Sequence, residues 1–148
     1  MFTGILAILF FIHGLITIGS GFGAVVDGGR KAWSDPGLAN ATWLSWWPLN
    51  LGRSWVVDAA QLGPTAYAIG GLIWIASGLA FAAAGLGLFG MTGLKGIWQP
   101  LALAGGGFGL AAVAMFFHPW YAIALLVNLA VLATRAGTER MPFNLGGS

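Results

Sequence analysis

Charge is what this chain lacks most. Four of its 148 residues are acidic and six are basic, 7% in all, where soluble domains carry about 25%. So few charges cannot cover a water-facing surface, so lipid or other apolar protein must surround most side chains. The net charge of +2 is too small to argue for a nucleic-acid partner, whose phosphates call for a dense basic surface. Cysteine is absent. That excludes disulfides, thiolate metal sites and thiol redox chemistry, and it leaves the compartment open. Nucleotide-binding glycine loops, zinc-protease helices, serine elbows and heptads are missing too. So is an internal repeat of the kind transporters use. No stretch names a reaction.

What the chain has is apolar length. Hydrophobic residues make up 58% and the mean hydropathy is +0.86. Residues 64–90 contain no Asp, Glu, Lys or Arg, and a bilayer takes about 20 such residues to cross. Gly71, Gly78 and Gly85 recur there at seven-residue spacing, with Trp74 and Ala82 between them. A face of small residues lets a neighbouring backbone come close. This stretch is read as the central helix of a four-helix membrane bundle. Gly78 belongs to its packing stripe and Gly87 does not.

The other spans follow in order. Residues 2–26 are uncharged. They lack the basic start of a signal peptide and exceed its usual apolar length, so they read as the first helix. One face of it carries His13, Thr17, Ser20 and Ala24, with Gly14 and Gly21 beside them. Polar and small residues of a span belong against protein rather than lipid. From Lys95 to Arg135 there is no charged residue, which is too long for one crossing. The chain must fold back, and His118-Pro119 marks the corner. That predicts a third helix over 97–117 and a fourth over 119–135. Small residues Ala102, Gly105, Gly109 and Ala112 line the third. Tyr121, Ala124 and Asn128 share a face of the fourth. Residues 1–137 thus form one all-α transmembrane domain, followed by a polar tail at 138–148.

Between the first two helices, residues 27–63 hold Asp27, Arg30, Lys31, Asp35, Arg53 and Asp58 together with Trp43, Trp46, Trp47 and Trp55. Tryptophan concentrates where lipid meets water, so this loop is expected to lie on the membrane surface. Trp43, Trp46 and Trp47 share a helical face that Pro48 ends. Asp27, Asp58, Arg30 and Arg53 read as interfacial ion pairs in preference to a general acid–base site. The positive-inside rule does not orient the chain: Lys95, Arg135 and Arg140 on one side balance Arg30, Lys31 and Arg53 on the other. Both termini are assigned to the cytoplasm on the lack of export features.

Four short runs resemble a known group of proteins. They are Ile12-His13-Gly14-Leu15-Ile16, Leu51-Gly52-Arg53-Ser54-Trp55, Gly70-Gly71-Leu72-Ile73-Trp74 and Trp98-Gln99-Pro100-Leu101-Ala102-Leu103. They look like those of an uncharacterised family of small bacterial integral membrane proteins with four helices. More distantly the chain is similar to DoxX-like proteins, some of which are associated with quinone-linked sulfur oxidation. The resemblance implies a four-helix fold in the bacterial inner membrane and no assigned activity. Where many members of the closer family carry a second histidine four residues after the first, this chain has Thr17.

His13 is the residue with most chemical potential, because an ionisable group inside a span is a functional signal. Thr17, Trp74 and Asn128 are its candidate companions in a polar intramembrane site. The chemical readings are a proton relay, an axial haem ligand or a hydrogen bond to a quinone. The plainer reading is a neutral histidine that glues helices together. His118 sits at the wrong depth to share a haem with it. The sequence requires no cofactor and shows no metal site. It favours a non-enzymatic accessory or structural subunit of a membrane complex, surrounded by lipid and by other subunits or its own copies. The alternatives are a redox- or quinone-associated protein using His13, and an oligomeric carrier of small solutes.

Overall fold

The computed structural model describes residues 2–27, 63–116 and 121–136. They form four helices and no strand: α1 (Phe2–Asp27), α2 (Gly63–Leu88), α3 (Trp98–Met115) and α4 (Ala122–Ala136). The Trp-rich loop, the His118-Pro119 corner and the C-terminal tail lie outside the described residues. So do the interfacial candidates Trp43, Trp46, Trp47, Arg53, Trp55 and Asp58. Three helices, α1 to α3, are long and apolar enough to cross a membrane, while α4 is a shorter apolar helix. The chain is a membrane protein by that measure. The expected fourth span of 119–135 is shortened at its start, because regular α-helix begins only at Ala122.

Local chemistry sets the ends. Pro64 stands in the first turn of α2, where its missing N–H is not needed. α2 stops in a Schellman motif. The Met91 N–H donates to the Leu86 carbonyl at 3.1 Å and the Gly90 N–H to that of Gly87 at 3.0 Å. Gly90 takes φ +90° for this, and Gly93 takes φ +88° in the same turn. A side chain at either position would be strained. Pro100 falls within the first turn of α3, again where no backbone donor is lost. α3 ends at Phe116, whose φ of −127° and ψ of 65° leave the helix. The chain therefore breaks between the third and fourth helices, as the sequence requires.

The helices pack in chain order, α1 on α2, α2 on α3 and α3 on α4. α1 and α2 meet backbone to backbone. A methyl group on Gly14 would come within 2.6 Å of the Gly78 carbonyl, and one on Gly85 within 2.7 Å of the Ala7 carbonyl. Gly71 meets Gly21 in the same way. The pairs 7 with 85, 14 with 78 and 21 with 71 make the two helices antiparallel. Gly71, Gly78 and Gly85 thus form the expected close-contact face, and its partner is the glycine face of α1. Gly87 is equally crowded, against Leu94 and Trp98. It is not the free position its place off the stripe suggests, because the α2–α3 turn folds back over it.

α4 is held differently. Its backbone runs close to α3 and stands off from α1 and α2. Side chains bridge that distance. Trp74 of α2 packs on Tyr121 with ring centroids 4.9 Å apart, and Tyr121 pairs with Ser20 of α1. The outward faces are apolar: Phe2, Ile5, Leu9, Ile12 and Ile16 on α1 and Ile123 and Leu126 on α4 are all exposed, as lipid-facing residues are.

Candidate functional site: a polar layer at mid-bundle

Two apolar clusters fill the bundle. One joins Trp74, Phe116, Tyr121, Ala112 and Val113. The other joins Phe10, Phe81, Ala84 and Ala102. Between them lies a layer of polar groups drawn from the middle of every helix: His13 and Thr17 of α1, Ser77 of α2, the Gly105–Gly109 backbone of α3, and Asn128 of α4. Helix register puts them at one depth. Ser77 Oγ donates to the Gly105 carbonyl at 2.8 Å. One turn along α3, Gly109 touches the Asn128 amide. One turn back along antiparallel α2, Trp74 comes level with Gly109. His13 meets the Phe81 ring edge-on, with ring centroids 4.9 Å apart.

Some of these groups are satisfied. Thr17 Oγ1 donates to the His13 carbonyl at 2.7 Å and Ser20 Oγ to the Ile16 carbonyl at 3.1 Å. Both are local back-bonds that small hydroxyl residues make within a helix. Thr17 therefore serves the His13 backbone and not its ring. Others are unsatisfied. His13 Nε2, Trp74 Nε1, Asn128 Nδ2 and Asn128 Oδ1 are buried and lack a hydrogen-bond partner among the described residues. The Asn128 amide is a neighbour of the His13 side chain. The pair falls outside hydrogen-bond geometry, so Nε2 is still unpaired. Asn128 is 0% exposed and Trp74 1%, so neither turns to solvent for relief.

The four candidates named from the sequence are thus distributed over one interior layer and its upper edge. A direct meeting of His13 with Trp74 between α1 and α2 does not occur. The glycine contacts close that interface, His13 rests on Phe81, and Trp74 turns to Tyr121. The unpaired atoms are instead fully buried in the bundle interior. Ser77 belongs to the layer and is missed by sequence reasoning. Its only signal is a lone hydroxyl one turn from Trp74 in a run of small apolar residues. Ser20 and Tyr121 were legible on the faces that bury them, but not as a pair.

The layer is made of an imidazole, an indole, hydroxyls and a carboxamide. Such groups bind by hydrogen bonding, and the described part of the layer brings no carboxylate or cation to it. The arrangement suits recognition of a polar edge inside a dry bundle. Compared with known protein families, curated proteins and solved structures, the chain gave no match.

Proposed function

We propose that this membrane protein holds a small lipid-soluble molecule in the middle of its bundle, with His13, Trp74 and Asn128 as the binding groups. The observation that carries this reading is the set of four buried, unpaired polar atoms on three helices. A buried donor or acceptor left without a partner costs about 1–3 kcal/mol, and natural structures leave few of them without cause. A guest that pairs with them removes the cost. The redox- or quinone-associated role expected for His13 is one form of this reading, since a quinone offers carbonyl acceptors. It agrees with the likeness to DoxX-like proteins, which is itself a proposal.

A second reading is the non-enzymatic accessory subunit, seated laterally in a membrane complex or against its own copies. It rests on the apolar ridge of Phe2, Ile5, Leu9, Ile12 and Ile16 on the face of α1 turned away from α2. Under either reading we place the chain in a bacterial inner membrane with both termini in the cytoplasm.

Native mass spectrometry of protein purified in mild detergent separates the two. A small molecule retained at one per chain and released by organic solvent is expected. A stoichiometric partner chain with no small-molecule mass would replace the first reading by the second.

A further inference from the structure

The unpaired atoms specify what kind of guest fits. We infer that the site takes a neutral molecule presenting a carbonyl beside an N–H or O–H donor, and that it arrives sideways from the lipid between α1 and α4. This rests on the binding role just proposed and adds the chemical class and the route.

The class follows from what each group can do. The Trp74 indole is a donor only, so the guest must carry an acceptor. Asn128 buries both its Nδ2 donor and its Oδ1 acceptor without a hydrogen-bond partner among the described residues. A carboxamide read along that edge is matched by an edge with one acceptor and one donor side by side. An alkane matches neither atom, and an ester matches only the donor. Contact with Gly109 fixes where the amide stands, so the edge is presented in one place. Neutrality follows from position. The layer sits midway along the spanning helices, where an unpaired charge costs about 2.5–3.5 kcal/mol or more, and none of its described side chains supplies a counter-ion.

The route follows from the packing. The α1–α2 interface is closed by backbone contact and α3 by its own close approach to both neighbours. The α1–α4 seam has side chains alone. Phe10 and Leu6 of α1 share one apolar cluster with Val127 and Val131 of α4. His13 stands beside them, partly exposed although its Nε2 is buried. Rotamer changes open such a seam without breaking a backbone hydrogen bond.

The test uses the full chain in lipid nanodiscs with 15N-labelled tryptophan. Trp74→Phe identifies the Trp74 indole resonance. Decanamide, methyl decanoate and decane are then titrated. Decanamide is expected to shift that resonance saturably, methyl decanoate to bind at least about tenfold more weakly because it leaves Asn128 Oδ1 unpaired, and decane to leave it unmoved. Asn128→Leu should weaken decanamide and erase its preference over the ester. Val127→Trp, which fills the seam, should slow binding about tenfold with little change in affinity, and an unchanged rate overturns the route. Decane or the ester binding as well as the amide overturns the class. Failure of all three probes, in a protein that still copurifies with a small molecule, overturns the class and leaves the binding role standing. Failure of all three with no native guest overturns both.

Discussion

The Asn128 amide lies against Gly109 so closely that no methyl group fits between them. This contact joins α4 to α3 at the depth of the polar layer, and it depends on a residue with no side chain. Gly109→Ala puts a Cβ into the carboxamide. We expect a loss of about 1–3 kcal/mol, the usual cost of overpacking a core, measured by reversible unfolding in mixed micelles. Asn128→Ala in the same chain should recover most of that loss. Equal losses in the single and double variants would mean the two residues are not coupled.

The interlock of α1 and α2 makes a contrast between glycines. Gly78→Leu forces a side chain into the Gly14 carbonyl and Ile18 and should lower the unfolding temperature sharply or prevent assembly. Gly107 is exposed and meets nothing within 4 Å, so Gly107→Leu should be near neutral. Gly87 does not serve as the neutral control, since it too is crowded. Comparable damage from the 78 and 107 variants would refute the packing of α1 on α2.

Much of this was legible in the sequence, for physical reasons that also mark where legibility ended. Glycine spacing exposes a packing stripe because the helical period is fixed, so Gly71, Gly78 and Gly85 could be read as one face. The crowding of Gly87 comes from the turn through Gly90 and Gly93, a long-range consequence that no period contains. The faces of His13 with Thr17 and of Tyr121 with Asn128 were readable. That α4 would pack on α3 and stand away from α1, with polar atoms of both left buried and unpaired, depends on which helices pack closest. Side-chain volume at the α3–α4 contact decides that, and spacing along one helix does not carry it.

Ser77 ties α2 to α3 through its hydroxyl and the Gly105 carbonyl. That carbonyl also belongs to the α3 ladder, so losing the extra bond does not orphan it. Ser77→Ala should therefore cost only about 0.6 kcal/mol, the average for hydrogen bonds between membrane helices. Ser77→Val adds volume at a fully buried position and should cost more. A loss above about 2 kcal/mol for the alanine variant would mean that Ser77 supports the layer in some further way than this bond.

Asn128→Leu distinguishes a binding group from structural glue by the sign of its effect. If the amide held helices together by hydrogen bonds, removing it would weaken the bundle. Both of its polar atoms lack partners among the described residues, so the folded, guest-free protein bears their desolvation without return. Leucine has the same branched outline and no polar atom, but its methyl groups are bulkier than the amide oxygen and nitrogen. It should relieve about 1–3 kcal/mol, less whatever strain its branched end meets at Gly109. We therefore expect the guest-free Asn128→Leu protein to unfold at a higher denaturant concentration than the parent, while losing the retained small molecule. Stability and binding would then move in opposite directions at one residue, as they do where a polar group is kept for a ligand. A lower unfolding midpoint for both Asn128→Leu and the smaller Asn128→Ser, which cannot overpack against Gly109, in protein stripped of any guest, would show that the carboxamide is structural and that the layer is not a site.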